Sequence, residues 1–524
     1  MIAKVADEMA LAPSQKVNCC GESLIDYRRW ALKPKIKKLG SEHEETYLEL
    51  FYDLIIVVVF MRLGTLLTRE PTTRGVFVVF TLYSIFWSQW CLFSYYVTML
   101  DSNDIKHRFL YIAHILSVFV CGIFILHEDS DGFSVELSGI GMSGACAVVR
   151  FILAVHWGSE ARVRKSFKEG EWGQITMHAG TLLLSATIFF VGLFVADREQ
   201  DKDIVVVVWL LAVIIEQVVS IYLLNFGKCS FDANYYGERM STWLMLTFGE
   251  SVISLLSTEF PYTAGMVLTV CSCFIFIAVL CVHYFDIVDC DQCLKHFVFE
   301  SRRKLACAFM GCHCLWSFCI LLVGIGLQGV IYVDLSIEKK SWIDDMDRRH
   351  LSLVSAPMEF RRLEGMDIQH YERHLKRYFY MIEYGTLAHF LLGNGWHSLR
   401  TPQVTRKKNS DIGVPHWRVW TGRISSTLCI LFIPFTRYLL KCFKCDPYYN
   451  NASEYDDEYK EGLNIHEALL VIVGVTTISL LLSTMMNQWE PMSHEQLHKY
   501  HGHHVVEENS HAGSASIRSQ SMEG

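Results

Sequence analysis

Several stretches of this chain run without a charged side chain for longer than a lipid bilayer is thick. Two of them are residues 75–100 and residues 262–285, and the second contains a single histidine. A helix needs about 20 apolar residues to cross the hydrocarbon layer, because that layer is about 30 Å thick. Backbone groups inside the layer must be hydrogen-bonded within the segment, so each stretch is predicted to be a transmembrane helix.

Further apolar segments extend this interpretation along the chain. The chain has 524 residues, of which 51% are hydrophobic, and its mean hydropathy is +0.24. We therefore predict an all-α, polytopic integral membrane helix bundle with about twelve transmembrane helices. The predicted spans are residues 47–67, 75–99, 109–127, 134–157, 175–196, 204–225, 240–257, 262–286, 305–333, 378–399, 423–441 and 466–486.

Basic residues near the predicted spans indicate an orientation. They lie in the segment before the first span and in the loops 158–174, 287–304 and 400–422. Because cytosolic loops carry the excess of Lys and Arg, we expect both termini to be cytosolic. The sequon at Asn451 then lies on the opposite side, where a glycan can be attached. The sequence leaves open which membrane holds the protein.

The chain is predicted to have four parts. Residues 1–46 form a basic cytosolic segment, and residues 47–225 form a first six-helix half. Residues 226–486 form a second half with a long polar loop at 334–377. Residues 487–524 form a His-rich tail of low complexity that we expect to be disordered.

The start of the first span repeats in the second half. Glu42-x-x-x-Thr46-Tyr-Leu-x-Leu recurs as Glu238-x-x-x-Thr242-Trp-Leu-x-Leu, and an acidic residue follows each copy inside the span, Asp53 or Glu250. This pattern favours two parallel six-helix repeats, an arrangement found in transporters, although chance matching of apolar helices is the alternative.

Several ionisable residues lie within these apolar segments. A charge in mid-bilayer costs about 2.5–3.5 kcal/mol on insertion scales, so such residues are expected to face the bundle interior and to be paired. The main candidates for an intramembrane polar core are Asp53, Arg150, Glu216, Glu250 and Asp286. Secondary titratable candidates are Glu49, His114, Glu238, Arg239, His313, Glu383 and His389.

Each candidate has a structural and a functional interpretation. Asp53 and Glu250 either lock the bundle as members of ion pairs or bind a transported species. Arg150 is expected to be a counter-ion, either for one of these two acids or for Glu216, and its alternative role is that of a substrate ligand. Glu49 is expected at the cytosolic membrane surface, close to the N-terminus of its helix. The histidines are interhelical hydrogen-bonding groups or proton relays.

Three segments resemble a known family. They are "ELFYDLIIVVVF" at 49–60, "YYGERMSTWLMLTFGESVIS" at 235–254 and "HYFD" at 283–286. They are similar to motifs of the low temperature requirement protein A family, and "MLDSND" at 99–104, Arg150 and His313 also fit. Tyr52 and Phe248 depart from the usual residues of that pattern. The resemblance implies a multi-spanning membrane protein and implies no defined biochemical activity.

These observations favour a secondary transporter or channel-like protein for a small ion or polar solute, with transport linked to protons. The alternative is a non-transporting scaffold or sensor whose buried charges are structural. The expected partners are the lipid bilayer and that solute. The net charge of −8 argues against nucleic acid. We expect no enzyme activity, cofactor or metal, because the His494-Glu-x-x-His498 pattern lies in the tail, without a catalytic domain around it.

Overall fold

The computed structural model describes residues 35–36, 46–69, 71–101, 105–125, 135–166, 172–196, 202–226, 233–257, 264–288, 303–348 and 368–408. Ten α-helices account for almost all of them. They are α1 (Tyr47–Arg69), α2 (Thr73–Met99), α3 (Ile105–Ile123), α4 (Val135–Ser166), α5 (Trp172–Ala196), α6 (Lys202–Phe226), α7 (Ala233–Leu256), α8 (Ala264–Val288), α9 (Arg303–Arg348) and α10 (Ile368–Lys408). Two short strands, β1 (Lys35–Ile36) and β2 (Leu100–Asp101), pair in antiparallel fashion.

The predicted spans agree with these helices wherever the chain is described. Each of the first ten predicted spans falls largely on one helix, in order, which confirms the all-helical class. Eight of the ten helices are long and apolar enough to cross a membrane. The other two, α7 and α10, carry more polar and charged side chains. The predicted spans 423–441 and 466–486 lie outside the described residues, so the count of twelve and the repeat stay predictions.

Two other predicted segments are only partly described. Residues 334–348 continue helix α9, and residues 368–377 begin helix α10, so the predicted polar loop at 334–377 is helical at both ends. Asn451 and the His-rich tail lie outside the described residues.

The chain divides into two compact units. Unit 1 comprises residues 1–66, 77–242 and 298–311, and unit 2 comprises residues 67–76, 243–297 and 312–524. In unit 1, α4 packs against α3, α5 and α6, and α5 packs against α6. In unit 2, α8 packs against α10.

Helix α2 is the most enclosed helix of the described candidate spans. Its apolar window is 83% buried, compared with 33% for α3 and 39% for both α5 and α6. The less buried helices expose large apolar side chains, which suit contact with lipid tails. Examples are Phe109, Ile112, Leu183, Phe190, Phe194, Val207, Leu211 and Val218.

Helices α9 and α10 approach each other closely at glycines in unit 2. A Cβ atom on Gly326 would lie 2.9 Å from the carbonyl oxygen of Tyr378, and one on Gly385 would lie 2.6 Å from that of Cys319. Small residues at helix interfaces permit such approach in membranes, where packing rather than the hydrophobic effect drives association. These glycines therefore fix the distance between α9 and α10.

Candidate functional site

A bidentate ion pair joins α1 to α7 inside unit 1. Arg239 donates from Nη1 to Oδ2 of Asp53 at 2.8 Å and from Nη2 to Oδ1 at 2.9 Å. The indole N–H of Trp90, on α2, also donates to Oδ1 of Asp53 at 2.9 Å. The guanidinium lies over the ring of Trp90, with its carbon 5.1 Å from the ring centroid. Asp53 thus enters the apolar span with both of its oxygens occupied.

A second ion pair joins α4 to α6 in the same unit. Arg150 donates from Nε to Oε1 of Glu216 at 2.9 Å and from Nη2 to Oε2 at 3.3 Å. The hydroxyls of Ser88, on α2, and Ser185, on α5, donate to the same carboxylate. Arg150 and Glu216 are both about 1% exposed. Four helices therefore converge on one carboxylate.

These pairings decide between the predicted partners. Arg150 pairs with Glu216, which was one of the predicted alternatives, and the other alternative, pairing with Asp53 or Glu250, is wrong. The base on Asp53 is Arg239, which the sequence placed only among the secondary candidates. Removing one member of such a buried pair leaves the other charge stranded at a cost of about 3–5 kcal/mol.

Glu49 is buried in the first turn of α1, and its place at the cytosolic membrane surface stays a prediction. It is 1% exposed and forms a capping box with Thr46. The Thr46 hydroxyl donates to Oε1 of Glu49 at 2.7 Å, and the Tyr235 hydroxyl donates to Oε2. The Thr-x-x-Glu spacing is the sequence signature of this cap, and the helix dipole favours acid at such a position.

Glu250 differs from the paired acids of unit 1. It lies in unit 2 and is fully buried. The hydroxyl of Ser254, one turn later on α7, donates to its Oε1, while Oε2 has no hydrogen-bond partner in the described part of the chain. No basic residue forms a salt bridge with Glu250 among the described residues. A buried carboxyl without a counter-charge is more stable in its neutral, protonated form than as a carboxylate.

Histidines connect α8, α9 and α10 in unit 2. Trp316 donates its indole N–H to Nδ1 of His389 at 2.8 Å, and Nε2 of His389 lies 3.1 Å from Nδ1 of His283. An indole N–H can only donate, so neutral His389 carries its proton on Nε2 and donates to His283. His313 forms a 2.8 Å hydrogen bond with the hydroxyl of Tyr284. His313 and His389 are thus interhelical hydrogen-bonding groups, while His283 was not among the predicted candidates.

Comparison with known proteins identifies the family. The model of the family described as bacterial low temperature requirement A protein (LtrA) matches residues 45–437. The chain belongs to the LtrA family. The matched range includes all ten described helices and therefore both ion pairs and Glu250. No curated protein and no solved structure matches the chain. With eight apolar helices long enough to span a bilayer, this LtrA-family chain is a multi-pass membrane protein.

Buried polar atoms that no described residue satisfies occur in both units of this LtrA protein, and four side chains of unit 1 are among those that carry them. The atoms of these four are the Tyr52 hydroxyl, both ends of the Gln89 amide, both ring nitrogens of His114, and Nη1 of Arg150. All four residues are at most 1% exposed and lie in unit 1. An unsatisfied buried polar group costs about 1–3 kcal/mol, and native proteins contain few of them.

The remaining candidates of the LtrA protein have weaker claims to a site. Glu238 is exposed, and Glu383 is half-buried. Asp286 lies near the end of α8, and its side chain is outside the described part. Sequence reasoning missed the buried hydrogen bond between His107 and Glu160, whose Nε2 and Oε1 atoms are 3.0 Å apart. Within the described residues, no three His, Cys, Asp or Glu side chains are grouped to hold a metal ion.

Proposed function

We propose that this LtrA-family protein is a secondary transporter or channel-like protein for a small ion or polar solute, linked to proton movement. The observation that carries the proposal is Glu250, a fully buried carboxyl on α7 whose described hydrogen bond comes from the Ser254 hydroxyl. Ionisable residues inside membrane spans are costly and commonly mark ion or proton pathways. A structural lock is expected to hold a base, as Asp53 and Glu216 do.

In this proposal Glu250 binds and releases a proton during transport. The buried carboxyl is neutral, because an isolated carboxylate in an apolar surrounding is strongly disfavoured. When α7 exposes the carboxyl to water, the proton leaves to water and the carboxylate becomes stable. A proton from the opposite side of the membrane then binds the carboxylate before it is buried again, so each cycle moves one proton across the membrane. The ion pairs of unit 1 supply a fixed frame, because each is fully formed and bridges separate helices.

Replacing Glu250 with glutamine is expected to abolish proton movement without unfolding the protein. Glutamine has the shape of the protonated acid and can accept the Ser254 hydrogen bond, but it cannot take up a proton. The measurement uses proteoliposomes loaded with a pH-sensitive dye. The rate at which an imposed pH gradient decays should be at least about tenfold lower for the variant than for wild type, as expected when an intramembrane proton relay is lost.

The matched control is Glu238→Gln. It makes the same change on the same helix at an exposed position, and it should keep the wild-type rate. A wild-type rate in Glu250→Gln, with Glu250→Leu equally active, would contradict the proposed role. A wild-type protein no faster than protein-free vesicles would contradict proton linkage itself.

A second candidate function is a non-transporting membrane scaffold or sensor. Two closed, bidentate ion pairs favour it, because bonds of this kind fix helix positions without requiring movement. Under this candidate, Glu250→Gln leaves ion and solute permeability at the level of protein-free vesicles, as in wild type. The buried charges then affect only the stability of the fold.

The proposed topology has twelve spans in two parallel six-helix halves, with both termini cytosolic. The clustering of basic loops on one side supports it. It places Asn451 outside, so expression in a glycosylating eukaryotic membrane should add a glycan that a glycosidase removes. Asn451→Gln should lack the mass shift, and Asn450→Gln, which lies outside the sequon, should retain it. A further readout is a tag added to the C-terminal tail, tested for protection from external protease. If the tag is protected and the wild-type chain still gains no glycan, the placement of this loop outside is refuted.

A further inference from the structure

Four of the side chains with unsatisfied polar atoms in unit 1 come from four consecutive helices. Tyr52 belongs to α1, Gln89 to α2, His114 to α3 and Arg150 to α4. Buried polar atoms without partners are scarce in native proteins, so a group of them drawn from four helices needs a reason. None of these atoms takes part in either ion pair, because Arg150 uses Nε and Nη2 for Glu216 and leaves Nη1.

Several contacts place these side chains together. The rings of Tyr52 and His114 have centroids 5.4 Å apart. Phe93 stacks on His114 at 4.9 Å and lies one turn from Gln89 on α2. The thiol of Cys121, two turns beyond His114 on α3, lies within reach of a weak hydrogen bond with the Gln89 side chain.

Arg150 joins the same group from α4. Cys146 lies one turn before it, and the Cys146 sulfur is 3.9 Å from that of Cys121. Arg150 also interacts electrostatically with both Tyr52 and His114. The four side chains therefore lie near one another where α1 to α4 meet.

The available atoms form a mixed set of donors and acceptors. The amide of Gln89, the hydroxyl of Tyr52 and a neutral imidazole each offer both kinds of group, and Nη1 of Arg150 offers donors only. The neighbouring charges already balance, because Arg150 is offset by Glu216 and Arg239 by Asp53. An added ion would bring an uncompensated charge into a buried region, which is strongly disfavoured.

We infer that Tyr52, Gln89, His114 and Nη1 of Arg150 form a binding site for a small uncharged polar molecule that both donates and accepts hydrogen bonds. Amides and polyols of a few heavy atoms, such as urea and glycerol, have this chemistry. The inference rests on the proposed function in that it names the class of solute moved. Binding at the site can nevertheless be measured without any transport.

The test uses Tyr52→Phe and Gln89→Met, which remove the polar atoms and keep the shape of the side chain. The matched control is Tyr47→Phe, which removes the same hydroxyl on the same helix at a position that is 65% exposed. Carbon-14-labelled urea and glycerol are the probes, in uptake by proteoliposomes and in equilibrium binding to the purified protein in detergent. Water permeability is followed by light scattering after an osmotic step.

Wild type should bind and take up at least one probe. Each site variant should weaken both binding and uptake about two- to tenfold, which is the change in affinity expected when one hydrogen bond is lost. Tyr47→Phe should match wild type. Without probe, both site variants should melt at or above the wild-type temperature, because an unsatisfied polar group has been removed. A purely structural role would instead lower the melting temperature.

The remaining outcomes separate the inference from the proposed function. Proton movement that depends on Glu250, without binding of either probe, overturns the inference and leaves the proposed function standing. Variant-sensitive binding without uptake supports the site and overturns transport. Variants that change only the water permeability show that the atoms hold water alone, and this also overturns the inference.

Discussion

Replacing Arg150 with methionine should lower the free energy of unfolding by about 3–5 kcal/mol, because Glu216 is then left as a buried charge without a base. Methionine keeps much of the length of the arginine side chain, so packing against Phe189, whose ring lies 4.5 Å from the guanidinium carbon, is largely preserved. Adding Glu216→Gln should restore most of the loss, since the neutral amide oxygen can accept one of the two serine hydroxyls while the amide nitrogen donates to the oxygen of the other.

The measurement is a double-mutant cycle, followed by denaturant-induced unfolding in detergent. Arg162→Met is the matched control, because it makes the same change on the same helix at an exposed position, and it should unfold like wild type. A single Arg150→Met variant as stable as this control would show that the pair contributes nothing. A double variant that is no more stable than Arg150→Met would show that the stranded charge is not the cause.

The double variant also separates the two candidate functions. Under the scaffold candidate, Arg150→Met/Glu216→Gln should recover the behaviour of wild type together with its stability. Under the transport candidate, it should be folded but bind solute less well, because Nη1 of Arg150 belongs to the proposed solute site. Stability and solute binding are thus expected to change independently.

Gly385→Ala should lower the free energy of unfolding of unit 2 by about 1–3 kcal/mol, the usual effect of overpacking. The added methyl would lie 2.6 Å from the carbonyl oxygen of Cys319 and 2.7 Å from Cγ2 of Val323. A backbone oxygen cannot rotate away as a side chain can, so α9 and α10 must separate. In a membrane, no hydrophobic driving force holds two helices together when their van der Waals contacts are lost, so the separation is destabilising.

The control for this variant is Gly311→Ala on α9, where the new methyl meets no described atom within 4 Å. It should be neutral or slightly stabilising, because alanine favours a helix more than glycine does. Thermal unfolding of both variants in the same detergent gives the comparison. Equal melting temperatures for Gly385→Ala and Gly311→Ala would refute the close approach of α9 and α10.

Helix positions were predictable from the sequence because long apolar runs leave few alternatives in a bilayer. Helices α7 and α10, which carry Glu250 and Glu383, miss the apolar criterion, whereas α1 and α6 meet it although they carry Asp53 and Glu216. The capping box could also be predicted from the sequence, since Thr46 and Glu49 have the required spacing. The burial of Glu49 could not be predicted, because Glu49 contacts Tyr235, which is 186 residues away.

Partners were harder to predict than positions. An acid inside an apolar span is expected to need a basic partner, but the local sequence does not show which basic residue lies beside it. Asp53 and Arg239 are separated by 186 residues, and Arg150 and Glu216 by 66. Such pairs depend on the order in which helices pack, which no local pattern encodes. The cluster of Tyr52, Gln89 and His114 was missed for the same reason.

Helix α2 has no freedom in its length. Ser88 contacts the carboxylate of one ion pair, and Trp90, two residues later, contacts that of the other. One inserted residue turns everything beyond it by about 100° and moves it by about 1.5 Å. An insertion or deletion between these two residues would therefore detach α2 from one carboxylate whatever the new residue is. We expect random insertion libraries to recover functional chains with additions near the ends of α3, α5 or α6, and none with additions in the middle of α2.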